Sequence, residues 1–122
     1  FVCRALRRHA ASETLARHAC AALWALVAED GDRKEAACAA EAVPAVCAAL
    51  ERFKGSKELQ KRGLTVLWSL VTKHPKNKES AVEHGAVGII SRAMAVWPDS
   101  GAIQERCCGC IGSLAANHAE AP

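Results

Sequence analysis

The sequence predicts an all-α fold in which one helical unit of 44 residues recurs along the chain to form a helical solenoid. Aligning the 122-residue chain with itself at an offset of 44 gives 78 aligned pairs, of which 23 are identical. They include Trp24 with Trp68, and Lys34-Glu35 with Lys78-Glu79. A composition rich in alanine raises the number of chance matches, but it does not pair tryptophans and Lys-Glu dipeptides in one register. In such repeats each unit buries one face against the next.

The composition favours helices over strands. Apolar residues make up 51% of the chain, and they are mostly Ala, Leu, Val and Cys, with two Phe and no Tyr. Small residues suit closely packed helices, whereas a sheet contains more β-branched and aromatic residues. The net charge of +3 is compatible with an acidic partner and too small to indicate nucleic-acid binding.

Three serines in the same repeat position predict the starts of the long helices. Ser12, Ser56 and Ser100 are good N-caps, because the hydroxyl oxygen accepts a hydrogen bond from a free backbone N–H of the first turn. The expected long helices run from Ser12 to about Glu29, over Lys57–Lys73 and over Gly101–Asn117. In the first of them, helical spacing places an apolar stripe on one face: Leu15, Ala19, Ala22, Leu23 and Leu26.

Turn residues divide the remainder into shorter helices. We expect Asp30-Gly31-Asp32, Gly55 and His74-Pro75 to end helices, Pro44 to occupy the first position of a helix, and Gly85 to supply a positive φ. The predicted shorter helices are 1–11, Arg33–Glu41, Pro44–Lys54, Lys76–His84 and Val87–Trp97. The unit is thus one short and two longer helices.

One domain is expected, cut from a longer array. Its predicted divisions are a partial repeat over residues 1–31 and two repeats over 32–74 and 75–118. Apolar faces at the two ends of such a fragment would lack the polar outer side of a terminal repeat, so we expect it to associate end to end.

The order of short helix, Gly or Pro turn, medium helix and long helix resembles the armadillo repeat. EAVPAVCAAL (Glu41–Leu50) and HGAVGIISRAM (His84–Met94) are similar to its second helix. LWALVAEDGDRKEAA and LWSLVTKHPKNKESA resemble its third helix running into the next first helix. The resemblance covers essentially the whole chain, and the last part is similar to the divergent armadillo arrays of large protist and algal proteins. It implies a right-handed superhelix; HEAT repeats, with two helices per unit, are the alternative.

Armadillo proteins are mostly binding scaffolds whose third helices line a concave groove. In some members a ladder of Asn on those helices clamps an extended peptide, and Trp lies four residues earlier. The matching ladder positions here are Ala25, Ser69 and Ser113, and the earlier positions are Ala21, Thr65 and Gly109. Because Asn and Trp are missing at these positions, we do not expect an extended peptide to be clamped in this way, whereas a helical or folded partner is still compatible with the groove.

Basic and aromatic residues complete the predicted groove. His18, Arg62 and Arg106 share its face, which suits an acidic helix or tail, although solvated helix charges would give the same pattern. Trp24 and Trp68 flank this face, either as binding anchors or as packing between adjacent third helices. The predicted groove residues are His18, Trp24, Ala25, Arg62, Thr65, Trp68, Ser69, Arg106, Gly109 and Ser113.

Two glycines interrupt the last long helix. Gly109 and Gly112 each cost about 1 kcal/mol relative to Ala inside a helix. We expect the close approach of another backbone, from a neighbouring repeat or a partner, to offset this cost.

The seven cysteines indicate a reducing compartment, the cytoplasm or nucleus. Their number is odd and most lie in helical pattern, where a free thiol behaves as a small hydrophobe. Cys107 and Cys110 share a helix face, but a zinc site usually needs a second pair at set spacing, so we predict no metal and no cofactor. Cys38 and Cys47 lie on neighbouring helices and could be close, although two buried thiols are the simpler interpretation.

The remaining motifs point away from catalysis and membranes. The chain has no phosphate-binding glycine loop, no nucleophile beside a base and no run of 18 apolar residues. The predicted function is a non-enzymatic protein-interaction scaffold without a membrane segment. A purely structural spacer and weak nucleic-acid binding through basic helix surfaces are the alternatives.

Overall fold

A computed structural model of the protein describes residues 2–27 and 31–120, with side chains up to residue 116. Across these ranges the chain forms eight α-helices and no strand, which confirms the predicted all-α class. The helices are α1 Val2–Arg8, α2 Glu13–Val27, α3 Gly31–Ala39, α4 Ala42–Arg52, α5 Lys57–Val71, α6 Pro75–Glu83, α7 Ala86–Val96 and α8 Gly101–Glu120.

The helix bounds recur with the period of the sequence. The helices α2 and α5 have 15 residues each, α3 and α6 have 9, and α4 and α7 have 11. In every pair the second helix begins 44 residues after the first. One period therefore contains a short, a medium and a long helix, as the sequence predicts.

The serine caps of the long helices are confirmed. The backbone N–H three residues further along donates to the Oγ of Ser12, Ser56 and Ser100 at 3.1, 3.3 and 3.3 Å. Each bond satisfies one of the four N–H groups that the first turn leaves without a helical partner. An ion pair lies on the surface of α5, with Arg62 Nε 3.5 Å from Oε2 of Glu58 one turn earlier.

The start of α4 differs from the prediction. It begins at Ala42, so Pro44 is its third residue rather than its first. Proline is tolerated there because the first N–H groups of a helix have no intrahelical partner to lose. Glu41 precedes the helix in the left-handed conformation, with φ 60°, and Gly85 takes the same conformation before α7, with φ 81°. The predicted positive φ of Gly85 is thus confirmed.

Several other bounds shift by a few residues. Gly31 and Asp32 were expected to lie in a break between helices. Instead they form the start of α3, where the backbone N–H groups need no helical partner. The helices α4 and α5 end two residues before the expected Lys54 and Lys73. The expected end of the first long helix at Glu29 lies outside the described residues.

The long helices lie side by side, because α5 packs against both α2 and α8, while α4 packs against α1 and α7. Two sets of α5 residues explain this. The residues Leu64, Leu67 and Val71 are at most 1% exposed, and so are Leu59, Val66 and Leu70. The second set corresponds to Leu15, Ala22 and Leu26 of α2, which are half-buried or exposed. Because this surface is covered in α5 but open in α2, it faces the preceding long helix, which for α5 is α2. The first set therefore faces α8.

This arrangement corrects the predicted inward face of α2. Ala22 is exposed and Leu26 is 44% exposed. Helical spacing identified an apolar stripe, but α2 packs against α5 with a neighbouring part of its surface. The buried residues of α2 are Ala16, Ala19, Cys20, Leu23 and Val27.

A buried glutamine fixes the junction between α4 and α5. Gln60 is 1% exposed, and its Nε2 donates to Leu50 O at 3.0 Å and to Phe53 O at 3.1 Å. Gln104 makes the same pair of bonds between α7 and α8, at 3.1 Å each. These amides satisfy carbonyls that a helix end leaves open. Among the described residues, no helix is long and apolar enough to cross a membrane.

Candidate functional site

A groove of about 1040 Å³ runs across α2 and α5. We name it the α2–α5 groove. The start of α3 and the segment 72–74 between α5 and α6 line one end of it, which we name the closed end. Its lining consists of Trp24, Gly31, Lys34, Glu35, Thr65, Trp68, Ser69, Thr72, Lys73 and His74.

The two tryptophans of the groove differ in solvent exposure and packing. Trp24 is 44% exposed, whereas Trp68 is half-buried and packs against the core. The indole of Trp68 fills the space beside Gly109 of α8, where a Cβ would lie 2.6 Å from its Cδ2 atom. The α5 residue that corresponds to Gly109 is Thr65, so the helix beside Trp24 offers a branched side chain instead of a gap. Trp68 is therefore a packing residue and Trp24 an open apolar surface.

The hydroxyl groups of Thr65 and Thr72 in the groove already have partners. Thr65 donates to Lys61 O at 2.7 Å and accepts a bond from Arg106 Nε. Thr72 donates to Trp68 O at 2.6 Å, and its Oγ1 lies 3.0 Å from Ser113 Oγ. Two of these contacts connect α5 with α8, so they hold the groove wall in place before any partner binds.

Charged side chains gather at the closed end. Lys34 Nζ donates to Thr72 O at 3.2 Å, which joins the start of α3 to the end of α5. Lys73 is exposed and has a left-handed backbone with φ 56°, a conformation that is strained for a non-glycine residue. Glu35 is the acidic residue among them. The closed end thus carries two ammonium groups and one carboxylate.

A histidine connects this charged end to the helix that follows. His74 is 8% exposed and caps α6, because its Nδ1 accepts from the N–H of Asn77 at 3.2 Å. The proton of a neutral ring must then be on Nε2, which lies 2.8 Å from Glu35 Oε2 and donates to it. One imidazole therefore fixes both the start of α6 and the Glu35 carboxylate.

Four of the predicted groove residues line the α2–α5 groove: Trp24, Thr65, Trp68 and Ser69. Three more contact the lining from α8, since Arg106 binds Thr65, Gly109 lies under Trp68 and Ser113 meets Thr72. The other three are outside the lining: His18, Ala25 and Arg62. Arg106 also donates to Ala102 O of its own helix at 2.9 Å, so its guanidinium is engaged both within α8 and with Thr65 of α5.

The close approach of another backbone that was expected at the two glycines of α8 is not found at either one within the described ranges. At Gly109 the neighbour is the side chain of Trp68 rather than another backbone. A Cβ at Gly112 would meet nothing within 4 Å among the described residues, so nothing in the structure explains this glycine.

The charged end of the groove was missed by the sequence analysis. It comes from α3 and from the segment after α5, whereas the groove was predicted from the faces of the long helices. The repeat did carry a signal, because Lys34-Glu35 recurs as Lys78-Glu79. Identical charged residues in one register indicate a shared position, but only the packing of α3 beside the end of α5 brings them to the groove.

Five of the seven cysteines belong to the core. All seven are free thiols, and Cys3, Cys20, Cys47, Cys107 and Cys110 are buried. Burial raises the pKa of the Cys20, Cys47 and Cys110 thiols from the ordinary 9.0 to about 12, and that of Cys107 to about 11. In the part of the chain that the structure describes, no group of three or more His, Cys, Asp or Glu could hold a metal ion.

A second, smaller cleft of about 250 Å³ lies between α1 and α4. Its lining is mostly alanine, with Leu6, Arg7 and Arg52. Arg7 already donates to Ala40 O at 2.8 Å, and Arg52 lies over the ring of Phe53. This cleft offers little polar chemistry to a ligand, so the α2–α5 groove is the better candidate site.

No family model matches the chain, and no curated protein or solved structure matches it either.

Proposed function

We propose that this chain is a non-enzymatic protein-interaction scaffold of armadillo type, in which the helices form a right-handed superhelix and a partner binds along the α2–α5 groove. The fold part of the proposal is supported by the recurrence of helix bounds every 44 residues. Three helices per period favour armadillo over HEAT repeats. An experimental structure with a left-handed or non-superhelical arrangement would contradict it.

The exposed indole of Trp24 is the observation on which the binding proposal depends. Its 44% exposure places a large apolar surface at the mouth of a groove. Exposed aromatic residues beside polar groups are typical anchors of protein interfaces. The bonded hydroxyls of Thr65 and Thr72 and the packed Trp68 hold the groove in shape, so little free energy is lost to ordering it upon binding.

The charges at the closed end indicate the chemistry of the partner. Lys34 and Lys73 exceed Glu35 by one positive charge, and Lys73 is exposed. A complementary partner carries acidic residues for this end and an apolar side chain for Trp24. An acidic helix or tail of another protein fits both requirements. The free thiols suit a cytoplasmic or nuclear protein.

A displayed library of random peptides tests this proposal, because the selection requires no named partner. Peptides selected on the wild-type protein should be enriched in Asp and Glu and should share one large apolar residue. Trp24→Ala should weaken their binding at least about tenfold, because truncating an anchor costs upward of about 1.4 kcal/mol. Lys73→Glu should weaken it most at low salt, since exposed charges are screened as salt rises.

The control for both variants is Val96→Glu. Val96 is 51% exposed on α7 and lies outside the groove lining, so this change should leave peptide binding unaltered. Selected peptides that bind Trp24→Ala as tightly as wild type would contradict the groove as the site. Failure to select any peptide would favour the spacer alternative. Binding of a random DNA duplex that weakens steeply with salt would favour the nucleic-acid alternative.

A further inference from the structure

Two exposed apolar surfaces lie on opposite ends of the row formed by α2, α5 and α8. On α8 and α7, the first surface consists of Val87, Cys108, Ile111 and Ala115, all exposed. We name it the trailing face. On α2, the second surface consists of Leu15, Ala22 and Leu26, and we name it the leading face. Ile111 and Leu26 are 47% and 44% exposed.

Each face corresponds to a buried surface elsewhere in the same chain. The counterparts of the trailing face one period earlier are Val43, Leu64, Leu67 and Val71, which are at most 1% exposed. The counterparts of the leading face one period later are Leu59, Val66 and Leu70, which are 0% exposed. Both faces therefore repeat a surface that the chain covers at its internal α2–α5 and α5–α8 junctions.

The internal junctions show what covers each surface. The contact between α5 and α8 brings Cys110 Sγ within 3.5 Å of Leu64 O, and Cys110 is the counterpart of Val66 and of Ala22. A residue of leading-face type thus meets a residue of trailing-face type. A second copy of this chain carries a leading face that can meet the trailing face of the first in the same way.

We propose that copies of this chain associate head to tail, the leading face of one on the trailing face of the next, so that the row of long helices continues from copy to copy. This goes beyond the proposed groove and does not depend on it. The contact joins two different surfaces, so it is heterologous and leaves a free face at each end of a dimer, to which further copies can add.

The junction between copies should be weaker than the internal α5–α8 junction. Inside the chain, Arg106 binds Thr65 and Ser113 meets Thr72 across α5 and α8. At the junction the corresponding positions are His18 with Gly109 and Ala25 with Ala116, so these hydrogen bonds are absent. Apolar burial remains as the driving force, and the association should be reversible and dependent on concentration.

Sedimentation velocity with two complementary variants tests the proposal. The mass of the wild-type protein should rise with concentration without a plateau at the dimer. Ile111→Glu and Leu26→Glu should each be monomeric, because each places a charge on one face. An equimolar mixture should form a dimer and nothing larger, since each variant retains the face that the other has lost.

Val96→Glu is the control, because its counterpart Arg52 is exposed inside the chain, and it should associate like wild type. Ala115→Glu and Ala22→Glu repeat the test at exposed helix positions, and circular dichroism verifies the helix content of every variant. A wild-type protein that stays monomeric at all concentrations would overturn the proposal. So would a plateau at the dimer that Ile111→Glu abolishes and Leu26→Glu does not, which indicates symmetric pairing of two trailing faces.

Discussion

Trp68 of α5 packs its indole over Gly109 of α8, in the space that a β-carbon would occupy. This contact accounts for a glycine that is otherwise unfavourable inside a helix. It also distinguishes Trp68 from Trp24, because the counterpart of Gly109 one period earlier is Thr65 and Trp24 remains 44% exposed. One pair of residues thus contributes to the α5–α8 junction and to the shape of the groove.

We expect Gly109→Ala to destabilise the protein by about 1–3 kcal/mol, because the added methyl group displaces a large ring in a packed junction. The gain in helix propensity, about 1 kcal/mol, offsets only part of this cost. Gly112→Ala is the matched control, since its Cβ meets nothing within 4 Å, and it should stabilise the protein by about 1 kcal/mol. Urea unfolding measures both. Equal effects of the two substitutions would show that Trp68 does not limit the space.

The buried amide of Gln60 gives a second prediction. Gln60→Leu removes the donor to Leu50 O and Phe53 O and should cost about 1–3 kcal/mol in the free energy of unfolding. Gln104→Leu removes the same two bonds one period later, but Gln104 is only half-buried, so water can replace them and the cost should be smaller. Thermal unfolding of both variants gives the comparison. A larger loss at Gln104 would contradict the role of burial.

A third prediction concerns the left-handed residues before α4 and α7. Glu41 holds φ 60° against the steric preference of a side chain, whereas Gly85 holds φ 81° without that cost. Glu41→Gly should therefore stabilise the protein, by up to about 1 kcal/mol, and Gly85→Ala should destabilise it by about the same amount. Denaturant midpoints measure the two changes. Changes of the same sign would mean that one of these residues leaves the left-handed region.

The buried thiols predict a loss of stability at alkaline pH. Cys20, Cys47 and Cys110 have a pKa of about 12 in the folded protein and an ordinary value of 9.0. A folded pKa above the unfolded one gives stability that is complete below pH 9 and lost as the pH rises toward 12. Unfolding then releases protons, and each thiol contributes a slope of about 1.4 kcal/mol per pH unit between these values.

Removing one buried thiol should reduce the number of protons released on unfolding by one, and the pH slope of the unfolding free energy by about 1.4 kcal/mol per pH unit. Cys47→Ala is the test variant, and Cys108→Ala is the control because Cys108 is exposed. The measurement is the free energy of urea unfolding between pH 8 and pH 11, which should begin to fall near the ordinary pKa of 9.0 and should still be falling at pH 11, below the folded pKa of about 12. An unchanged slope in Cys47→Ala would contradict the burial of this thiol.

Helix positions and caps were predictable because they depend on neighbours in the sequence. The Oγ of Ser12, Ser56 and Ser100 bonds a backbone N–H only three residues away, and the φ of Gly85 is a property of one residue. The self-alignment at 44 residues likewise predicted where helices recur. Even so, Gly31 and Pro44 lie inside helix starts, because the first turn tolerates them and pattern alone does not give its register.

The sequence by itself determined that the chain is all-helical, how its helices repeat and where each long helix is capped, since these follow from local hydrogen bonding and helix propensity. The tertiary structure decided which face of each helix is covered. Leu26 is open while its counterpart Leu70 is buried, and His74 reaches Glu35 from 39 residues away. The same residue type at the same repeat position thus has a different environment. The physical reason is that burial depends on a neighbouring helix, and that helix comes from a distant part of the chain.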